Sequence, residues 1–301
     1  MKNNFLLLTV SCLILSLYSC KEKGSSSVIL DEEIGKLTDT AYTADVEATT
    51  PRKLLAEEFT GVSCPPCAHG HEIMASIKEQ LNGNIVIIGY HISNHLQTRL
   101  VEKNGKTLSK FDFRTEDATN VGLDIFAGVN EIPQAGFDRT EIKSGTKIAP
   151  KADWSNAAIQ RSKIPTPLNI HITSSFDEAT RECTAVVKLA YTGDVNLNQN
   201  LNFAVLEDDI IDAQKTLTSE GIDENYRHKH VLRDLVTSTS GDPLPDKAYP
   251  LTEGRVYERT FSFQVPDEWN AANCKIVAFV NNNSSSDRTI VQAEEVTMTG
   301  K

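Results

Sequence analysis

The sequence predicts two domains in one 301-residue chain: an α/β unit over residues 51–164 and an all-β sandwich over 168–301. Three observations carry that division. Strand-like and helical patterns alternate up to Ile164-Pro165-Thr166-Pro167, and only strand-like segments follow it. A Cys64-Pro65-Pro66-Cys67 motif also falls where the first strand gives way to the first helix.

In the first unit, Arg52 to Thr60 is strand-like through Leu54, Leu55, Ala56 and Phe59, with Glu57 and Glu58 interrupting it. Ala68 to Leu81 places Ile73, Ile77 and Leu81 at i, i+4, i+8, and Asn82-Gly83 stops the helix. Asn84 to Ile92 is nearly all apolar, as a strand buried on both faces must be, which argues that part of the sheet is parallel. A helix over Thr115–Phe126, a strand over Gln134–Arg139 and a helix over Asp153–Ile164 complete the unit. After Pro167, six segments have period-two or β-rich composition: Leu168–Phe176, Thr184–Tyr191, Leu201–Asp209, Arg255–Val265, Lys275–Val280 and Thr289–Thr297. Repeated short strands with turn residues between them predict a sandwich of the immunoglobulin-like kind.

The N-terminus reads as an export signal. Lys2 is a short positive region, and Phe5 to Leu17 is apolar but too short to span a bilayer comfortably. The run ends in Leu17-Tyr18-Ser19-Cys20, which resembles the bacterial lipoprotein box: residues 1–19 would be cleaved and Cys20 lipidated. Residues 20–50 then form a tether, flexible at Gly24-Ser25-Ser26-Ser27, and an extended arm. Lys2 is the leader's one charged residue, so the mature chain has 29 basic residues against 41 acidic ones. That surface disfavours nucleic acid as a partner and suits a solvated exported protein.

Export decides the chemistry open to the cysteines. Cys12 leaves with the leader and Cys20 takes the lipid, leaving Cys64, Cys67, Cys183 and Cys274 in a compartment that permits disulfides. Cys183 and Cys274 each begin a predicted strand; they either bridge the sandwich or stay as separate buried thiols. In the CxxC motif, one sulfur attacks a partner disulfide and the second resolves the mixed intermediate. At a helix N-terminus, unpaired N–H groups and the positive dipole end favour the thiolate. Cys64 is the expected exposed nucleophile, Cys67 the resolving thiol, and Pro66 suits an early helical position where its missing N–H is not needed.

The segment Glu58-Phe59-Thr60-Gly61-Val62-Ser63-Cys64 resembles the thioredoxin superfamily. The resemblance implies that Glu58 is the buried acid that relays a proton to the resolving cysteine. It also implies that Ile132-Pro133 is the cis-proline loop, which with Pro66 borders the groove for an extended substrate. Three features depart from the pattern: Ser63 where Trp is usual, Pro65 beside the nucleophile, and an insertion near residues 93–114. That insertion, with His95, Arg99 and Lys103, is either a substrate-facing lip or a solvated loop.

The whole layout resembles the Omp28-related outer-membrane lipoproteins of Bacteroidota, through the Cys20 box, Glu57-Glu58-Phe59-Thr60-Gly61, the cysteine pair, Pro133 and Tyr226 to Arg233. It implies a thioredoxin-like domain followed by a β-sandwich on an outer-membrane lipid anchor. The leading function is then a thiol–disulfide oxidoreductase acting on exported protein thiols or disulfides and coupled to an upstream redox partner. The alternative is a surface-binding or assembly lipoprotein, adhesin-like, whose CxxC is a static disulfide. Cys64, Cys67, His69 and His71 also have metal-ligand spacing. On a helix, however, the two histidines stand about 200° apart, so solvated histidines and no metal are expected. Tyr226 to Arg233 is basic against an acidic remainder, which suggests an interdomain contact or packed loop. No cofactor fingerprint, P-loop or hydrolase elbow is present.

Overall fold

A computed structural model describes residues 29–30, 39–143, 145–244 and 250–300. The leader and Cys20 lie outside them. The principal elements are β1 (Asp39–Thr43), β2 (Leu54–Phe59), α1 (Pro65–Gln80), β3 (Ile85–Tyr90), α2 (Glu116–Asp124), β4 (Gln134–Phe137), β5 (Ile148–Pro150) and α3 (Lys151–Ser162). These are followed by β6 (Leu168–Phe176), β7 (Glu182–Tyr191), β8 (Gln199–Glu207), β9 (Ile210–Lys215) and β10 (Ile222–His228). The chain continues through β11 (Val231–Leu235), β12 (Arg255–Gln264), β13 (Cys274–Asn282) and β14 (Ile290–Thr297). The described chain is mostly β.

One large sheet runs through both halves in the order β14-β13-β8-β11-β3-β2-β4-β5, with Asp242–Pro243 also paired to β8. Strands β2 and β3 are parallel, and β11 joins them in parallel with Val231 opposite Gly89. Gly89 N donates to His230 O at 2.7 Å, and a Cβ at Gly89 would stand 3.1 Å from that oxygen. A side chain there would push the two halves apart. The basic segment Tyr226–Arg233 is therefore the seam between the halves, and the sheet continues across residues 164–168.

Side-chain alternation sorts the large sheet into three cores. Leu54, Ala56, Ile85 and Ile87 face α1 and α3, around Met74 and Trp154. Leu55, Val86, Ile88, Ala204, Leu206, Val277 and Phe279 form another core with α2 and the CxxC cysteines. Leu201, Phe203, Val205, Ile276 and Ala278 pack on the second sheet, made of β6, β7 and β12. The expected extended arm is in part a strand: β1 and Ile29–Leu30 cover the free edge of β12.

The hairpin β9–β10 belongs to neither large sheet. Ile210 and Ala213 instead pack with Val62, Val101, Phe113 and Val231 over the loop that carries Cys64. The Asp212 carboxylate accepts from the backbone N–H groups of Lys110 and Phe111 at 2.9–3.0 Å. The insertion near 93–114 is thus a packed support for this hairpin, and part of it is a small hairpin of its own, Glu102–Lys103 on Lys106–Thr107.

Candidate functional site

The site begins at the N-terminus of α1. Cys64 caps the helix in extended conformation, and Pro65 and Pro66 occupy the first two positions, whose N–H groups would have no intrahelical partner in any case. Cys64 and Cys67 are joined in a disulfide with a Cα–Cα distance of 5.3 Å. The Ile132–Pro133 peptide is cis, and its Ile132 carbonyl oxygen lies 3.8 Å from Cys64 Sγ. The Pro66 carbonyl accepts from Lys151 Nζ at 3.2 Å.

Cys64 was expected to be exposed; it is fully buried, and so is Cys67. The reason is tertiary. Hairpin β9–β10 lies over the loop, with Lys215 N donating to Val62 O at 2.8 Å. The Gln214 side-chain amide donates to the carbonyls of Gly61 and Cys64 at 3.2 and 3.1 Å.

The two glutamates of β2 point to opposite faces, as strand alternation requires. Glu57 forms a buried ion pair with Arg139 at 2.9 Å and accepts from Tyr90 Oη at 3.1 Å. Glu58 faces α1, where a Cβ at Gly70 would stand 3.0 Å from its Oε1 and 3.4 Å from Pro133 Cβ. Acid and cis-proline therefore converge on the helical turn that Cys67 begins. Burial pushes the Glu58 carboxyl up to about 8, so it is un-ionised at neutral pH, and its Oε1 has no hydrogen-bond partner.

His71 is not a solvated helix residue. Its Nε2 lies 2.8 Å from Thr60 Oγ1 and 3.8 Å from Glu58 Oε1, and its Nδ1 lies 2.7 Å from Tyr226 Oη. Burial, and then His228 and His230, push its pKa down to about 3. His69 lies elsewhere, against Lys151 Nζ at 3.4 Å. Among the described residues, no three of His, Cys, Asp or Glu are grouped so as to hold a metal ion.

Cys183 and Cys274 are both free, buried thiols in the core between the sheets, so the bridge that their positions allowed is not formed. Burial pushes the Cys183 thiol up to about 12 and raises that of Cys274 as well. Gln214 and the Tyr226–His71 pair escape a linear reading of the chain. One signal was present: Tyr226 and His228 are two residues apart, which puts both rings on one face of a strand.

Fold and site together define a mostly β protein in which a strand–CxxC–helix unit carries a formed disulfide and shares its sheet with a β-rich second half. The model of the family described as outer membrane protein Omp28 matches residues 123–299, more than half of the chain. The chain belongs to the Omp28 outer membrane protein family. The matched stretch begins after the CxxC motif, so membership says nothing about Cys64 and Cys67. No curated protein matches the sequence. Among solved structures, HBP35 of Porphyromonas gingivalis is similar with a TM-score of 0.63 at 17% identity, over 84% of this chain and 77% of that one. Protein AGR_C_4864 of Agrobacterium tumefaciens is similar with a TM-score of 0.50 at 14% identity, over 84% of this chain and 98% of that one. At these identities the likeness concerns the fold alone. No described helix is long and apolar enough to cross a membrane.

Proposed function

We propose that this protein is a lipid-anchored thiol–disulfide oxidoreductase of the bacterial envelope. Cys64 forms the mixed disulfide with an exported partner protein, and Cys67 resolves it. One observation supports this above the others: a formed disulfide at a helix N-terminus faces a cis-proline carbonyl, with an un-ionised buried carboxyl against the same turn. In this reading residues 51–164 are a thioredoxin-like domain and 168–301 an immunoglobulin-like sandwich. Cys20 anchors the chain in the outer membrane, and an upstream redox partner resets the pair. Hairpin β9–β10 must lift before Cys64 can react, because exchange needs in-line access to a sulfur atom.

The complete burial of both sulfurs favours a second reading: a binding or assembly lipoprotein in which the disulfide only staples the loop. A Cys67→Ser variant, expressed with its own leader, separates the two. Exchange chemistry traps partner proteins as mixed disulfides on non-reducing gels, and they disappear when Cys64 is also changed to Ser. No trapped partner, together with a wild-type disulfide that resists dithiothreitol, selects the second reading.

A further inference from the structure

Beside α1 lies a cavity of about 250 Å³ whose wall includes Glu58, His71, His91, Tyr226 and His228. Several of its buried polar atoms have no protein partner: Glu58 Oε1, both ring nitrogens of His91, and His228 Nε2. Atoms of this kind are costly to bury dry. A polar cavity of this size takes several waters, each using about 30 Å³ of liquid volume. The cavity is therefore a wet space inside the protein, and Glu58 borders it.

His71 links Glu58 to Tyr226 across the two halves of the chain. Its Nε2 is directed at Glu58 and Thr60, and its Nδ1 at the hydroxyl of half-buried Tyr226. The Thr60 hydroxyl donates to Nε2 when Nδ1–H donates to Tyr226, and Tyr226 then donates onward to water; this tautomer is assigned from the hydrogen-bond pattern.

We propose that His71 and Tyr226, one from each half of the chain, form the proton outlet of Glu58. The proposal rests on the exchange reading for its use, though not for its geometry. Glu58, un-ionised at rest, first releases its proton through this outlet, and when Cys67 resolves a mixed disulfide its thiol proton passes to the carboxylate so formed. The Cys67–Cys64 bond forms, the bond from Cys64 to the partner sulfur breaks, and the partner leaves as a thiolate. Over the two exchange steps the cysteine pair is oxidised by two electrons and the partner's disulfide is reduced to two thiols. Glu58 now holds a proton that it must release before the next cycle. It gives that proton to His71 Nε2 while Nδ1–H passes to Tyr226 Oη and the Tyr226 proton passes to cavity water. The 3.8 Å gap from Glu58 to Nε2 exceeds a hydrogen bond and is closed by a small ring rotation or by one water. Because burial holds the imidazole far below its usual basicity, the ring works by exchanging tautomers and does not rest as a cation. Tyr226 and His71 are positioning residues here, since neither touches a reacting sulfur.

The test needs no redox partner. The oxidised full-length protein is transferred to D₂O, and the infrared C=O band of the protonated Glu58 carboxyl is followed, with Glu58→Gln assigning the band. The expected result is deuterium exchange in wild type and exchange at least tenfold slower in both Tyr226→Phe and His71→Leu. Tyr226→Phe keeps the ring that packs against His71 and His228, and circular dichroism checks its fold. Wild-type exchange rates in either variant overturn the proposal, as does the absence of a protonated Glu58 band at neutral pH. If the Cys67→Ser trap captures no partner while the variants still slow exchange, the redox reading fails and the outlet stands.

Discussion

Gln214 donates from its side-chain amide to the carbonyl of Cys64, 3.1 Å away and 150 positions earlier in the chain. The contact closes hairpin β9–β10 over the disulfide and makes the reactivity of Cys64 a property of both halves. Gln214→Ala removes the bonds to Gly61 and Cys64 and leaves two carbonyls without that donor. Each such bond is worth about 1 kcal/mol net, so opening becomes easier by about 1–2 kcal/mol. The disulfide should then be reduced by dithiothreitol roughly tenfold faster than in wild type. Alkylation of quenched time points followed by gel shift measures it; an unchanged rate counts against the cover.

Glu58 should weaken the fold as pH rises. Its folded pKa, about 8, lies above its ordinary value of 4.5, so between those values the folded state binds more protons than the unfolded state. Stability from this group is fully present below pH 4.5 and is lost as pH rises to about 8. Glu58→Gln has no such loss. It should match wild type at pH 4 and exceed it by roughly 3 kcal/mol at pH 7 in urea unfolding. The same change should slow exchange, since the proton acceptor is gone.

The buried Glu57–Arg139 pair supports a prediction about stability. Both side chains are fully buried, and Arg139 also reaches the Thr239 carbonyl and lies over the Phe279 ring at 5.2 Å. Arg139→Ala leaves an uncompensated buried carboxylate and should cost about 3–5 kcal/mol. Replacing both residues by Leu should cost less than Arg139→Ala alone. Chemical denaturation of the set gives the comparison, and a double replacement as damaging as the single one would count against charge burial as the cause.

Cys183 and Cys274 should titrate as two unreactive thiols. Their burial keeps the thiolate scarce and the sulfur out of reach. A chromogenic disulfide reagent should detect neither in the native oxidised protein and both after unfolding in guanidinium. Detection of none after unfolding would mean that the two are bridged.

The proposed lipid anchor has its own test. Cys20→Ser should move the protein from the outer-membrane fraction to the soluble envelope fraction, as followed by fractionation and immunoblot. Retention in the membrane would remove the lipid from the account.

What the sequence determined by itself is what local periodicity and chemistry encode. Ile73 and Ile77 at helical spacing mark α1, and the unbroken Ile85–Tyr90 run marks a strand covered on both faces. The edges of β6, β7, β12, β13 and β14 fall within about two residues of their predicted segments, because at least one face of each is apolar. The CxxC at a strand–helix junction also needed no tertiary information. Hairpin β9–β10 did not announce itself. Asp212 and Gln214 are polar yet fully buried, and they bond to Lys110, Phe111, Gly61 and Cys64, which lie far away in the chain. Only the tertiary structure decided that the large sheet runs unbroken through both halves, that Tyr226 meets His71 and that Cys64 is covered. Each depends on the partner that a polar group finds across a hundred or more residues, and a polar group's burial is set by that partner, not by its neighbours in sequence.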